Sequence, residues 1–289
     1  MYKIHLKKEK MKLSEREKFK IIVEKLDERF KKIKNARPLS RAESDYFLKE
    51  FAVSFTHNSN AIEGNTYTFD ETRMLIERGI VAGSRSLRES EDIIGFKQAV
   101  DFMYAAAKDR VLPDEDFIKK IHSFVLRGDD EAGKYREIQN YVGSLTRVVF
   151  RPCSPDKIAE NMRDYVKTLK EDFLIVDSET RKDNIDWLKI FNILAEDHIR
   201  FERIHPFIDG NGRTGRLILS YQATFAGLLP VDIRYEDSER YFAAFKAYEK
   251  KSEYSSRVES KTEKLALLLA ERELAAFDIW LDVFSQKIS

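Results

Sequence analysis

Apolar residues return every three to four positions through almost the whole chain, and this periodicity limits the fold more than any single motif does. Leu13, Phe19, Ile22, Leu26, Phe30 and Ile33 make one such stripe, which ends before Arg37-Pro38. Proline has no N–H to donate and restricts the residue before it, so a helix stops there. Phe47, Phe51 and Phe55 repeat every four residues toward Asn58, behind Ser40 and Glu43 at the spacing of a capping box. The same pattern predicts helices over roughly 70–79, 89–108, 114–126, 155–174, 184–203, 213–226, 238–251 and 260–284. Most of them open with Asp, Glu, Ser or Pro and close near Gly or a basic residue, as the helix dipole favours. The expected architecture is all-α.

One segment breaks the pattern. Between Gly133 and Phe150, Tyr141-Val142-Gly143 and Arg147-Val148-Val149-Phe150 flank Ser144-Leu145-Thr146, which predicts a single β-hairpin. A lone hairpin is marginal in water, so one set among helices either packs on them or receives another chain as an added strand. A soft boundary near residue 85 divides an N-terminal helical extension (1–85) from a core (86–252), with a C-terminal helix over 253–289. The 51 basic and 50 acidic residues leave a formal charge of +1, which gives no electrostatic reason to expect nucleic acid or an anionic membrane as partner. The basic run Lys7–Lys12 reads as a solvated helix face. Cys153 is the single cysteine, so an intrachain disulfide is excluded. No apolar run approaches the roughly 20 residues that span a bilayer, and the start lacks a signal-type apolar core. The expectation is a cytoplasmic protein.

Chemistry concentrates in His205-Pro206-Phe207-Ile208-Asp209-Gly210-Asn211-Gly212-Arg213-Thr214-Gly215-Arg216. This stretch supplies a histidine able to take a proton near neutral pH, then an acidic metal ligand, then a glycine-rich turn whose N–H groups can surround phosphate oxygens. Two guanidinium forks follow at a spacing of three, which on a helix start places both on one side. The preceding helix runs into His205 and the next begins near Arg213, so the loop closes onto a helix N-terminus, where anions bind. A plain turn explains the glycines but leaves His205, Asp209 and both arginines without a purpose.

At these residues the sequence resembles the Fic-domain family, whose signature His-Pro-Phe-x-Asp/Glu-Gly-Asn-Gly/Lys-Arg-x-x-Arg is met at every fixed position from His205 to Arg216. The resemblance runs over roughly 90–250. Gly133-x-Tyr135-Arg136 with the hairpin is similar to the family's target-docking flap, and Ala226-Gly227-Leu228-Leu229-Pro230 to its helix end. It implies a Fic-type helical bundle that transfers AMP from ATP to a Ser, Thr or Tyr hydroxyl of a target protein or of itself, with loss of pyrophosphate. His205 is then the general base, and Asp209 holds Mg²⁺ between phosphates. The backbone at Gly210, Asn211 and Gly212 donates N–H bonds to phosphate oxygens, the Asn211 amide adds a side-chain donor to the α-phosphate, and Arg213 and Arg216 neutralise the β- and γ-phosphates. Phe207 is read as an anchor for the loop. Val142, Val148, Val149 and Phe150 would hold the target by strand addition, and Tyr241 lies in a segment similar to the one that closes over the adenine. Past Tyr248, Lys250-Lys251-Ser252-Glu253 replaces the commoner Gly-Asp pair.

Ser59-Asn60-Ala61-Ile62-Glu63-Gly64-Asn65 resembles the family's inhibitory motif, Ser/Thr-x-x-x-Glu-Gly/Asn, and places Ser59 and Glu63 on one helix face. If Glu63 reaches Arg216, a bidentate carboxylate–guanidinium pair takes the fork that the γ-phosphate needs, with Ser59 holding the helix in place. The resemblance also leaves open removal of AMP through Glu63, transfer of UMP or phosphocholine by the same scaffold, a homodimer, and a non-catalytic nucleotide-dependent module.

Overall fold

The computed structural model describes residues 15–36, 41–81, 83, 85–144, 147–251 and 262–284. Lys7–Lys12, Leu13, Arg37-Pro38, Ser40, Leu145-Thr146 and Ser252-Glu253 lie outside the described residues. The helices are α1 (Glu15–Ala36), α2 (Arg41–Ile62), α3 (Phe69–Arg78), α4 (Leu87–Lys108), α5 (Glu115–Val125), α6 (Ile158–Thr180), α7 (Trp187–Ile204), α8 (Asn211–Phe225), α9 (Ser238–Lys251) and α10 (Glu263–Phe284). Between α5 and α6, β1 (Val142–Ser144) pairs antiparallel with β2 (Arg147–Phe150). The fold is therefore helical with one hairpin, as the periodicity leads one to expect.

Local chemistry sets the helix ends. Thr68 with Glu71 and Ser86 with Glu89 form capping boxes ahead of α3 and α4, each satisfying two otherwise orphaned N–H groups. Asp114 and Asp186 cap α5 and α7 through their side chains. Helix α6 continues past the expected end near 174, because Val176, Glu179 and Thr180 extend its buried stripe. In the hairpin, Val142 pairs with Phe150 and Gly143 with Val148, so Val149 is the extra residue of a bulge that twists the strand.

Two apolar interiors meet on α8. One joins Phe30 of α1, Trp187 of α7 and Phe277 of α10 to Leu219 and Ala223 of α8. Phe30 stacks on Phe277 at 5.7 Å between centroids and meets Trp187 edge-on at 5.4 Å. The other joins Phe55 of α2, Phe96 of α4 and Phe173 of α6 to Leu217, Ile218, Tyr221 and Phe225 of α8. The segment expected as an N-terminal extension is thus shared, α1 going to the first interior and α2 to the second. The Phe55 and Phe96 rings touch at 5.1 Å and are fully buried; each contributes about 2 kcal/mol of apolar burial to hold α2 in place. Helix α8, buried on both sides, presents its N-terminus at one end of the bundle, beside the end of α2. Among the described residues no helix is long and apolar enough to cross a membrane.

Candidate active site

The loop between α7 and α8 is held from several directions. His205 ends α7 in the left-handed conformation, with φ 50° and its N–H on the Phe201 carbonyl at 3.0 Å, and Pro206 prevents another turn. Arg136, 2% exposed, staples the exit: its Nε donates to the His205 carbonyl at 2.8 Å, Nη1 to the Ile138 carbonyl at 2.8 Å and Nη2 to the Cys153 carbonyl at 2.6 Å. Its own N–H reaches the Pro206 carbonyl at 2.9 Å. Phe207 is fully buried and stacks flat on His122 at 3.6 Å, so it anchors the loop. His122 accepts from the Gly133 N–H at Nδ1 and therefore donates from Nε2 to the Asp209 carbonyl at 2.9 Å. Burial pushes the His122 imidazole down to about 4, which keeps this neutral donor–acceptor arrangement. Gly210, at φ 72°, turns the chain into α8 where a Cβ would come within 3.1 Å of Val125 and 3.4 Å of His122.

Asn211 departs from the expected role. Its Oδ1 accepts from the Phe207 N–H and its Nδ2 donates to the Phe207 carbonyl, both at 2.9 Å. The amide is buried and closes the loop on itself instead of pointing outward. Backbone donors are present at the helix end: Gly210 caps α8 without a side-chain bond, and the first intrahelical bond runs from Thr214 N–H to the Gly210 carbonyl. The N–H groups of the first turn consequently face out of the helix end.

Around that end stand the titratable groups. Burial pushes the His205 imidazole down to about 4, partly offset by the Glu202 carbonyl at 3.3 Å from Nδ1 and reinforced by Arg136. The ring is neutral at pH 7 and able to accept a proton. The Phe150 ring at the end of β2 faces it edge-on at 6.3 Å, which brings the hairpin to the site. Asp209 is the exposed carboxylate of the loop: Oδ1 accepts from the Gly210 N–H at 2.6 Å, while Oδ2 lies 3.7 Å from Arg88 and 3.8 Å from Arg213. Arg213 also donates to Asp92 of α4 at 2.6 Å.

Arg216 is held from α2. Its Nε donates to Ser59 Oγ at 2.9 Å, and Nη2 donates to the Ser59 carbonyl at 2.9 Å and to Glu63 Oε1 at 2.7 Å. The contact with Glu63 is a single oxygen, not the expected bidentate fork, because Ser59 takes two of the guanidinium donor directions. Glu63 Oε1 also lies against the first turn of α8, since a Cβ on Gly212 would overlap it. Tyr241 is buried beneath Arg216, its ring 5.9 Å from the guanidinium and its hydroxyl 2.7 Å from His198 Nε2. That position supports Arg216 and leaves the ring 2% exposed, whereas the sequence suggests contact with the adenine. Val142, Val148 and Val149 keep their places on the hairpin backbone.

Sequence reasoning missed Arg88, Asp92, His122 and Glu202, each a single polar residue within an amphipathic helix, and quoted Arg136 only as part of the flap. Among the described residues no group of three or more His, Cys, Asp or Glu could hold a metal ion. An exposed carboxylate such as Asp209 still fits Mg²⁺, which takes one or two carboxylates and completes its shell with phosphate and water oxygens.

Residues 112–223, which include the loop, the hairpin and the helices that support them, match the Fic/DOC family. The chain belongs to that family. It is 33% identical over 202 residues to the protein adenylyltransferase fic-1 of Caenorhabditis elegans, an overlap of 68% of this chain and 36% of that protein. It is 31% identical over 237 residues to the protein adenylyltransferase Fic of Nematostella vectensis, covering 81% and 50% respectively. The chain thus spans half or less of these curated relatives. Its fold superposes with TM-score 0.76 on a Fic domain containing signaling protein from Bacteroides thetaiotaomicron, at 24% identity, over 91% of this chain and 97% of that one.

Proposed function

We propose that the chain is a protein adenylyltransferase that transfers AMP from ATP to a protein hydroxyl and is restrained by its own Glu63. The observation that carries this reading is the position of the Glu63 carboxylate, on Arg216 and against the first turn of α8, where a terminal phosphate would need both. The names of the relatives support the reaction class.

In the active form His205 Nε2 takes the proton of the acceptor hydroxyl as its oxygen bonds to the α-phosphorus, and the bond to pyrophosphate breaks. The outward N–H groups of Gly212 and Arg213 receive phosphate oxygens, and Arg216 balances charge on the leaving pyrophosphate. Asp209 would hold Mg²⁺, which when bound neutralises phosphate charge. Arg88 and Arg213 stand on the same carboxylate and must yield part of it. Phe150 brings the hairpin edge beside His205, where a target segment can be added as a strand.

With Glu63 in place, Nε and Nη2 of Arg216 are taken by Ser59 and Glu63, and a triphosphate meets a like charge. Replacing Glu63 by Gly is expected to raise Mg²⁺-dependent incorporation of labelled AMP into the enzyme or a lysate by about tenfold or more, the scale of one lost charge-assisted contact. Adding His205→Ala should abolish the labelling. Labelling that persists without His205 rules out this mechanism, and a Glu63→Gly protein no more active than the parent rules out the restraint.

A further inference from the structure

Glu202 lies on the last turn of α7, three residues before His205, and is 8% exposed. Nothing in the reaction above uses it. Its carboxyl group lies beneath Gly215, where a Cβ would overlap Oε1, so the glycine is what admits it under α8. Oε1 has no hydrogen-bond partner among the described residues. The other oxygen, Oε2, is 3.8 Å from His205 Nδ1, and the Glu202 carbonyl is 3.3 Å from the same nitrogen. Two oxygens of one residue therefore face Nδ1, and an acceptor-rich surrounding places the proton on that nitrogen and the lone pair on Nε2.

We propose that Glu202 is a positioning residue for His205: its backbone carbonyl holds the Nδ1–H tautomer, and its carboxyl, admitted by Gly215, when ionised supplies a counter-charge that makes Nε2 a stronger base. The catalytic part of this inference rests on the adenylyl-transfer reading; the tautomer and the counter-charge do not. The groups that face Glu202 are Arg216 from α8, Glu63 from α2, Tyr241 from α9, Tyr165 from α6, and His198 and His205 from its own helix and its cap. Burial pushes the Glu202 carboxyl up to about 8, with Arg216 opposing and Glu63 adding to the rise. His205 is pushed the other way. At neutral pH the pair thus keeps its proton on the carboxyl and leaves the ring unprotonated, and above about pH 8 the ring gains an anionic neighbour.

The test reads the imidazole nitrogens directly, by nuclear magnetic resonance of protein labelled with ¹⁵N-histidine, with His205 assigned from the His205→Ala spectrum. The expected result is an Nδ1–H tautomer at pH 7 and an inflection of the His205 shifts near pH 8 that Glu202→Gln abolishes. In the Glu63→Gly background, Glu202→Gln should lower kcat about tenfold above pH 8 and leave the KM for ATP within about twofold. An inflection that survives in Glu202→Gln, or a pH profile of kcat with unchanged shape, overturns the proposal. If Glu202→Gln does not fold, Glu202→Asp takes its place: a moved midpoint supports the proposal and an unmoved one overturns it. The spectra need neither nucleotide nor target. Absence of AMP transfer in Glu63→Gly accordingly counts against the adenylyl-transfer reading and leaves the spectroscopic result to stand or fall alone.

Discussion

The two arginines of the loop sit three residues apart on α8, yet they face opposite kinds of surroundings. Toward α2, Arg216 is 1% exposed and its donors are assigned to Ser59 and Glu63. Toward α4, Arg213 is itself only 4% exposed, but it joins a network of mixed sign in which Asp92 and Asp209 also face the half-exposed Arg88, and Arg88 also reaches Asp129 at 3.3 Å. On the α2 side the Arg216 donors rest on Ser59 and Glu63 alone, so a lost acceptor leaves an orphaned charge-bearing donor in low dielectric. On the α4 side Arg213 shares Asp92, Asp209 and Asn60, so the remaining partners compensate part of whatever is removed. A restraint that works by occupying a cation belongs on the first side, where occupancy is strongly felt. A carboxylate that must exchange ligands belongs on the second.

The contrast predicts a graded series of stability effects. Gly215→Ala stands first: the added methyl overlaps Glu202 Oε1 and comes within 3.1 Å of the buried His198 and Phe201 rings. The overpacking should cost about 2–3 kcal/mol in urea unfolding. A variant as stable as the parent would show that the Glu202 carboxyl yields freely and that the buried side is looser than described. Ser59→Ala stands second, because Arg216 Nε loses its acceptor inside a fully buried site. The expected loss is about 1–2 kcal/mol, without change in the urea dependence that reports exposed surface. A loss below a few tenths of a kcal/mol would mean that Arg216 finds another acceptor, and the difference between its two sides would shrink accordingly.

These sites differ in how far the sequence reveals them. The loop is legible because His205, Asp209, the glycines and both arginines are adjacent, and their mixture has no packing explanation. The contact of Glu63 with Arg216, on which the proposed restraint rests, is legible because Ser59 and Glu63 share a helix face and the loop downstream offers a cation to meet them. Arg213's partner Asp92 is 121 positions away on a helix rich in charge, and nothing local separates it from a solvated aspartate. Glu202 and His122 fail for a related reason: each is one polar residue in an amphipathic pattern, and only the packing of α7 and α5 against the loop shows where it points. The structure adds internal partners for Asn211 and Tyr241 that no spacing reports: the Asn211 amide bonds to Phe207, and the Tyr241 hydroxyl meets His198. Among the helices, the length of α6 was underestimated because its last turn is buried through Glu179 and Thr180, polar residues that an apolar stripe does not count.

The smallest effect in the series belongs to Asp92→Asn. The amide keeps the shape of the side chain and an oxygen for Arg213 Nη1, and Arg213 retains Asp209 at 3.8 Å and Asn60 at 3.4 Å, so only part of one attraction is lost. With those partners left in place the loss amounts to about 1 kcal/mol in dilute buffer. Salt separates the contributions of the two cations that Asp92 faces. At about 1 M salt the screening length falls to about 3 Å, which weakens the attraction of Asp92 for the half-exposed Arg88 and leaves most of its attraction for the buried Arg213, so the Asp92→Asn cost should fall only in part. Ser59→Ala, whose loss lies in an unsatisfied buried donor and not in a solvent-screened attraction, should cost the same at both salt concentrations. Paired urea titrations of the two variants at low and high salt measure this. If the Asp92→Asn cost is unchanged at high salt, Arg88 contributes nothing to it, and the α4 side of the loop carries its charge through one buried pair in the same way as the α2 side.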